Sequence, residues 1–320
     1  MFRTEVFPLK EDVIIDYSSS IITLGSCFAN VIGSFFSKYK FNAYTNPFGI
    51  SYNPVSIFNL FNEQSLLDPQ FFLSKEGLYS SYLLHSDVVE RSQFELTDKI
   101  KNISSRLSSF SERSDIIIFT FGTAYVYRMK KSERIITSCH KMPSDLFTKE
   151  LLSVDTILRE FDLWQTKINQ NRKTPPTILL TVSPVRHIKD SMVLNNVSKS
   201  ILRVACHELA KSDRVFYFPS YEIMMDDLRD YRFYKEDMIH PSEVAHRYIW
   251  EKFVATFMEK ETQAKIHKVE EILKACDHIP FHPHTPSHQK FLRQTILKME
   301  GLKDIDLTRE RNHLQQQLID

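Results

Sequence analysis

The sequence predicts an α/β fold built on a parallel β-sheet, and two features of the chain lead to this prediction. Four short apolar runs are bounded by turn residues or charges: IITL (21–24), DIIIFTF (115–121), TILLTV (177–182) and RVFYFP (214–219). Continuous apolar runs are typical of strands buried on both faces of a parallel sheet. The stretches between them carry helical periodicity, and strands that alternate with helices favour a parallel sheet with right-handed crossovers.

Each segment between the strands then has a predicted structure. After IITL, apolar residues recur every three or four positions and predict a helix through Phe28, Ile32, Phe35 or Phe36, and Tyr39. The same spacing in SKSILRVACHELAKSD (198–213) predicts a helix before the last strand. Residues 42–110 are less regular and predict an insertion of a hairpin and loops. We expect a main domain over residues 1–258 and a charged, helical C-terminal extension over residues 259–320.

Composition and charge exclude several classes of protein. With 42% hydrophobic and 25% charged residues, the 320-residue chain has an ordinary globular composition. Because 41 basic residues balance 40 acidic ones, we expect neither nucleic acid nor a membrane surface as a partner, but a small or neutral molecule. The sequence does not indicate the oligomeric state.

The cysteines and the start of the chain indicate a cytoplasmic location. Four cysteines lie far apart without a CxxC pair, which argues against disulfides and against a structural zinc site. We therefore expect reduced thiols. The sequence shows neither a signal-peptide-like start nor an apolar stretch of membrane-spanning length.

Ser26 is a candidate nucleophile because of its position at a strand-to-helix junction. Ligands of parallel α/β sheets bind beyond the carboxyl ends of the strands, where helices begin and their free N–H groups favour negative charge. A serine at such a junction is more often a helix N-cap. A nucleophilic role therefore requires a base and a third group that orients the base.

The stretch YKEDMIHPSE (234–243) supplies both groups. Asp237 and His240 are three residues apart in a polar loop before a predicted helix. This spacing allows the carboxylate to contact one imidazole nitrogen and leaves the other nitrogen for a serine hydroxyl. The alternative is a solvated acidic loop that Pro241 ends and Ser242 caps.

Several blocks of the sequence together resemble a known family. These are GSCFA (25–29), NPFGISYNP (46–54), FGTAYVY (121–127), CHKMP (139–143), TVSPVRH (181–187) and FPSYEIMMDDLRDYRFYKEDMIHPS (218–242). In this order they resemble the GSCFA domain family over roughly residues 18–258, and that family is similar to the SGNH (GDSL-like) hydrolases.

The resemblance implies a three-layer α/β/α sandwich of flavodoxin-like type and an activity in ester hydrolysis or acyl transfer, without a metal or cofactor. It implies Ser26 as nucleophile, His240 as general base and Asp237 as the group that orients the imidazole. The chain departs from better-known SGNH enzymes in the oxyanion hole, because Ala124 stands in place of their asparagine. We expect the N–H groups of Ser26 and Gly49 to hold the oxyanion, with the following substitutes for the asparagine: Asn46, Thr123 or a backbone N–H near Gly122.

Other residues near the predicted site have alternative interpretations. The Cys27 thiol is a second candidate nucleophile, but it points about 100° away from Ser26 on a helix, and we expect a small buried side chain. Cys139 and His140 are expected to line the pocket, and Lys141 to meet an anionic part of a substrate. Arg186 and His187 follow a strand end. Arg186 is expected either to bind a carboxylate or phosphate, or to pair with an acidic run: Asp226, Asp227 and Asp230.

Two clusters are ambiguous in the same way. An aromatic group is expected either to stack on a sugar ring or to pack beside the sheet: Tyr231, Phe233 and Tyr234. A Pro-rich stretch carries four histidines, and the lack of acidic or cysteine ligands at zinc spacing favours an exposed linker over a metal site: His278, His282, His284 and His288.

Together these features predict a serine esterase of SGNH type that hydrolyses an O-acyl, including O-acetyl, ester of a carbohydrate-like compound. An acyltransferase that uses the same triad is one alternative. A non-catalytic carbohydrate-binding protein of the same fold is the other, and the missing asparagine favours it.

Overall fold

The computed structural model describes residues 4–9, 13–170 and 172–319, and it has a five-stranded parallel sheet flanked by helices. This confirms the predicted three-layer α/β/α class with C-terminal helices. The strands are β1 (Ser20–Gly25), β2 (Asn42–Thr45), β3 (Phe72–Lys75), β4 (Leu78–Ser81), β5 (Ile116–Phe121), β6 (Tyr125–Met129), β7 (Ile135–Ile136), β8 (Phe147–Leu151), β9 (Thr177–Val182) and β10 (Val215–Tyr217).

The helices alternate with these strands and then continue alone to the C-terminus. They are α1 (Cys27–Lys38), α2 (Pro54–Asn59), α3 (Glu63–Leu66), α4 (Gln93–Arg113), α5 (Val154–Asn169), α6 (Met192–Leu209), α7 (Ser220–Glu222), α8 (Glu243–Phe257), α9 (Lys260–Asp277), α10 (Pro286–Glu300) and α11 (Thr308–Gln315). No helix within the described ranges is long and apolar enough to cross a membrane.

The central sheet has the strand order β10-β9-β5-β1-β2, and all four neighbouring pairs are parallel. From β1 the chain moves outward to β2 and then crosses to β5 on the opposite side of β1. The order of the sheet therefore reverses between β1 and β5, where α/β folds of this kind bind their ligands. The loops after β1 and β5 lie at this point.

Alternate residues of the buried strands divide the core into two layers, because successive side chains of a strand point to opposite faces. One layer packs the sheet against α2, α4, α5 and α6 through Ile22, Leu24, Ile117, Phe119, Phe121, Ile178, Leu180 and Val182. The other packs it against α1 and α8 through Ile21, Ile116, Ile118 and Leu179. Burial on both faces explains why the strands are continuously apolar in sequence.

The four predicted strands are confirmed, but residues 42–110 are more regular than predicted. The expected hairpin is present as β3 and β4. The same stretch also contains β2, which is an edge strand of the central sheet, and the 21-residue helix α4. Neither element has an apolar run, since β2 is only partly buried and α4 buries a single stripe of its surface.

The C-terminal extension is helical, as predicted, and it is packed against the main domain. Apolar residues of α9, α10 and α11 belong to the same core layer as α1 and α8. Lys40 and Glu310 join the two parts through an ion pair of 2.6 Å that is largely removed from solvent. Of the four histidines near the loop before α10, His288 is buried, and the other three are exposed. No group of metal-ligating side chains occurs among the residues that the structure describes.

Gly25 allows β1 to approach β5 closely, and its replacement tests this constraint. Gly25 has φ +137°, and an added Cβ would overlap the carbonyl oxygen of Thr120 and lie 2.8 Å from its carbonyl carbon. We expect Gly25→Ala to lower the free energy of unfolding by more than about 3 kcal/mol, measured by urea denaturation.

Gly77→Ala is the matched control for the backbone angle alone. Gly77 also has a positive φ, +77°, but nothing lies within 4 Å of an added Cβ. We expect a cost of about 1–2 kcal/mol there. Equal losses in the two variants would contradict a steric requirement at Gly25.

Candidate active site

Two hydrogen bonds with the segment after β2 hold the turn between β1 and α1 in place. The Gly25 N–H donates to Asn46 Oδ1 at 2.8 Å, and the Ser51 N–H donates to the Gly25 carbonyl at 3.0 Å. Asn46 adopts a positive φ of 38°, which its short polar side chain tolerates better than most. The segment after β2 thus fixes the end of β1 and presents Ser26 and Cys27 at the reversal of strand order.

Ser26 is the N-cap of α1, in agreement with one of its two interpretations. Its Oγ accepts the N–H of Phe28 at 3.3 Å, and its own N–H donates to the Thr120 carbonyl at 3.0 Å. Its exposed fraction is only 1%. The hydroxyl hydrogen is not needed for capping, so the nucleophilic role of Ser26 stays a prediction.

Asp237 and His240 form the predicted pair. His240 Nδ1 lies 2.7 Å from Asp237 Oδ2, and Nδ1 carries the hydrogen because an ionised carboxylate only accepts. Asp237 Oδ1 also accepts the N–H groups of Ile239 and His240 at 2.8 and 2.9 Å. These three donors, led by the His240 N–H, lower the pKa of Asp237 to about 2. The carboxylate therefore remains ionised at neutral pH and fixes the ring, leaving Nε2 for a reacting group.

Arg186 attaches the loop of this pair to the end of β9. Its N–H donates to the Ile239 carbonyl at 3.2 Å, and its Nη1 donates to the Met238 carbonyl at 3.3 Å. Its guanidinium carbon lies 3.9 Å from the ring centre of Tyr234 and 5.2 Å from that of Tyr231. Arg186 is thus a clamp on the Asp237–His240 loop.

The predicted ion pair of Arg186 with the acidic run is wrong. In the part of the chain that the structure describes, these carboxylates have other cationic partners. Asp226 pairs with Arg229, Asp227 with Lys252, and Asp230 with Arg232. The guanidinium lies over the rings of Tyr231 and Tyr234 instead, and Tyr234 is buried. Such stacking favours arginine, whose charge is planar and weakly hydrated.

His187 packs against Tyr52, which in turn binds the backbone after β5 at the same edge of the sheet. Its ring lies 5.1 Å from that of Tyr52 in a T-shaped contact. The Tyr52 carbonyl accepts the N–H of Gly122 at 2.7 Å, and a Cβ at Gly122 would lie 3.3 Å from that of Ser26. Burial lowers the pKa of His187 to about 4, and the positive charges of Lys199 and His240 add to this effect. His187 is therefore neutral at neutral pH.

The groups predicted to form the oxyanion hole are engaged within the fold. The Gly49 N–H closes a turn by donating to the Asn46 carbonyl at 2.8 Å, and Asn46 Nδ2 donates to Asn30 Oδ1 at 2.6 Å. Thr123 Oγ1 lies 3.0 Å from Ser198 Oγ. The Ser26 N–H extends the ladder between β1 and β5, as described above. The N–H groups of Ser26 and Gly49 are therefore not free to hold an oxyanion in this conformation, whereas Asn46 Nδ2 keeps a second hydrogen and the Thr123 hydroxyl can either donate or accept.

His140 lies in the loop after β7 and contacts the end of β4. Its Nε2 is 2.8 Å from the Ser81 carbonyl, and burial lowers its pKa. Lys141, beside it, is exposed. His85 connects this region to the turn after β2, because a Cβ at Gly49 would lie 2.8 Å from that of His85. His140 thus stabilises a loop. The predicted role of His140 in substrate binding stays a prediction.

Lys199 is a further residue of the site, and the sequence interpretation missed it. Its exposed fraction is 1%, and its Nζ donates to the carbonyls of Gly122 and Ser183 at 2.8 and 2.7 Å. These carbonyls follow β5 and β9, so the lysine joins two strand ends. The signal in the sequence is a lysine on the apolar stripe of α6, which also contains Leu202 and Cys206.

Burial of Lys199 predicts a specific pH dependence of stability. Its pKa is lowered to about 7, mainly by burial, whereas an unfolded lysine keeps its proton to about pH 10.4. Between these values the unfolded chain binds more protons, so this residue makes folding more favourable as the pH rises. From pH 7 to 9, we expect the free energy of unfolding of the wild type to rise relative to that of Lys199→Met. The rise should be up to about 1.4 kcal/mol per pH unit.

Urea denaturation at several pH values measures this difference. Lys268→Met, which replaces an exposed lysine of α9, is the matched control and should parallel the wild type. Parallel stability curves for the wild type and Lys199→Met would contradict a buried, proton-losing lysine.

Two family models match the chain, and together they cover most of it. The model described as GSCFA family matches residues 20–253, a range that contains all five strands of the central sheet. The model described as GSCFA domain protein, C-terminal domain, matches residues 269–320, from within α9 onward. No curated protein and no solved structure matches the chain. Because the first model alone matches more than half of the residues, the chain belongs to the GSCFA family.

Proposed function

We propose that this protein is an ester hydrolase of SGNH type that removes an O-acyl group, such as O-acetyl, from a carbohydrate-like compound. The observation that carries the proposal is the 2.7 Å contact between His240 Nδ1 and Asp237 Oδ2. It belongs to a loop that Arg186 attaches to the end of β9, at the carboxyl edge of a parallel sheet. The turn with Ser26 and Cys27 lies at this same edge.

The chemistry follows from this arrangement. His240 Nε2 takes the proton of a nucleophile in the turn, which the sequence predicts to be Ser26, as that nucleophile attacks the acyl carbonyl. The imidazolium then returns the proton to the leaving alkoxide, and Asp237 stabilises the imidazolium. In the second half of the reaction, water attacks the acyl-enzyme and releases the acyl group as an acid, with His240 again as the base. A sugar hydroxyl in place of water would make the same site an acyltransferase.

We also propose a reducing, cytoplasmic location. All four cysteines are free thiols. This supports a compartment in which thiols stay reduced. The proposed steps use side chains and water only, and the proposed partner is a small-molecule or glycan ester.

A non-catalytic carbohydrate-binding protein is the second candidate function. It is favoured by the hydrogen bonds that engage the N–H groups of Ser26 and Gly49 within the fold. Loss of an oxyanion donor costs on the order of 10²-fold or more in rate. A binding protein would keep the same pocket and would not turn over esters.

Replacement of the base separates these functions. We expect His240→Ala to lower kcat for p-nitrophenyl acetate by at least about 10³-fold, because the substitution removes the base that accepts the proton of the nucleophile. Asp237→Asn should lower it by about 10²–10⁴-fold, since the amide no longer fixes the charged ring. Release of nitrophenolate measures both rates.

His267→Ala is the matched control, since this exposed histidine lies on α9 and away from the sheet edge. It should keep the wild-type rate. Identical rates in the wild type and His240→Ala would contradict an enzymatic function that uses this pair and would support the binding protein.

A further inference from the structure

The strand-to-helix turn presents two adjacent nucleophilic side chains, and the structure treats them differently. Ser26 is buried, and its oxygen caps the first turn of α1. Its Cβ packs towards the backbone after β5, within 3.3 Å of the position that a Cβ at Gly122 would take. Cys27 is the first residue of α1 and is partly exposed. Of the two, the thiol is therefore more accessible to a substrate.

The backbone around Cys27 also suits a reaction that develops negative charge. The N–H groups of the first helical turn have no carbonyl partner within the helix. Those of Phe28 and Ala29 are bonded to the Ser26 side chain and carbonyl. The Cys27 N–H comes just before them in the chain and lies at the positive end of the helix dipole. It can serve as an oxyanion donor, in contrast to the engaged N–H groups of Ser26 and Gly49.

A buried positive charge lies close to the turn that carries the thiol, because Lys199 Nζ binds the carbonyl of Gly122 and Gly122 packs close to Ser26. Lys199 is bonded to two carbonyls, and in the described part of the chain no carboxylate pairs with it. The anion that acts on it is the ionised form of Cys27, and the two groups shift each other's protonation toward an ammonium and a thiolate. A buried charge without a counter-ion is costly, and a transient thiolate would offset part of that cost.

We propose that Cys27 is the attacking nucleophile of this site, with Ser26 as the helix cap that orients it and Lys199 as the positioning residue that stabilises its thiolate. This assignment rests on the proposed acyl-transfer function and changes only the nucleophile.

The base remains necessary under this assignment. Burial raises the pKa of the Cys27 thiol, and Lys199 opposes this effect without reversing it. The resting thiol is therefore protonated at neutral pH and requires His240 to accept its proton. Tyr52, which follows β2, also interacts with the ionised thiol, and His187, which follows β9, interacts with Lys199 and His240.

Each step of the reaction then balances. The proton of Cys27 Sγ moves to His240 Nε2, and the sulfur forms a bond to the acyl carbon while the carbonyl oxygen becomes an oxyanion. Collapse of the oxyanion breaks the C–O bond of the ester, and the leaving alkoxide takes the proton from His240. The product is a thioester on Cys27. Water then gives a proton to His240 and attacks the thioester carbon, and the departing thiolate regains that proton.

The first experiment compares turnover of p-nitrophenyl acetate by the two residues of the turn. We expect Cys27→Ala to lower kcat by at least about 10³-fold and Ser26→Ala, which removes a cap, by less than about tenfold. Cys27→Ser, which keeps nearly the same shape, should also be strongly impaired because an alcohol is much less acidic than a thiol. Cys276→Ser, in α9, is the matched control and should equal the wild type.

The opposite pattern would overturn the assignment. Loss of turnover in Ser26→Ala together with a nearly unchanged rate in Cys27→Ala would make the hydroxyl the nucleophile. After an acid quench, peptide mass spectrometry should find the acetyl group on Cys27, and hydroxylamine should release it as expected for a thioester. An acetyl group on Ser26 would equally refute the proposal.

The second experiment needs no substrate, so it distinguishes a wrong nucleophile from a wrong function. Iodoacetamide alkylation of Cys27 and Cys276 is followed by peptide mass as a function of pH. In Lys199→Met we expect slower alkylation of Cys27 at about pH 6–7, where Lys199 still holds its proton, and little change above about pH 9, where it does not. The alkylation of Cys276 should stay unchanged at every pH. Unchanged profiles for both thiols would overturn the role of Lys199, even if ester turnover is observed.

Discussion

The close contact between Gly25 and the carbonyl of Thr120 is the constraint on which the active edge depends. β1 and β5 meet there without an intervening side chain, and the positive φ of Gly25 turns the chain out of the sheet. The next N–H, from Ser26, still reaches the Thr120 carbonyl, and α1 begins one residue later. The start of a helix is thereby placed where the strand order reverses. In folds of this class that location collects ligands and reactive groups.

The remaining side chains of the site are brought to this edge by contacts between loops. Tyr52 binds the backbone after β5, His187 packs against Tyr52, and Arg186 attaches the Asp237–His240 loop. Within that loop, three hydrogen bonds to one carboxylate hold the imidazole before any substrate arrives. Such preorganisation matters because a base that must be ordered during the reaction loses much of its effect.

Lys199 provides a buried ammonium group below the surface of the site. The ammonium lies beneath the turn and joins the ends of β5 and β9 through the carbonyls of Gly122 and Ser183. Because water is excluded there, its field acts on the neighbouring thiol more strongly than it would at the surface.

The sequence by itself determined the features that depend on neighbouring residues. The strands of the central sheet other than β2 follow from their apolar runs, the Ser26 cap follows from its junction, and the Asp237–His240 contact follows from a spacing of three residues. Each is a local pattern, which a linear sequence displays directly.

Only the tertiary structure decided the features that require partners distant in sequence. The partly buried strand β2 is recognisable only through its pairing with β1. The contact of Arg186 with Tyr234 joins residues 48 positions apart, and the carbonyls of Gly122 and Ser183 that bind Lys199 are 77 and 16 positions from it. Residue types alone do not predict these contacts. The same holds for the N–H groups of Ser26 and Gly49, since a donor is free or engaged only according to which carbonyl the fold places opposite it.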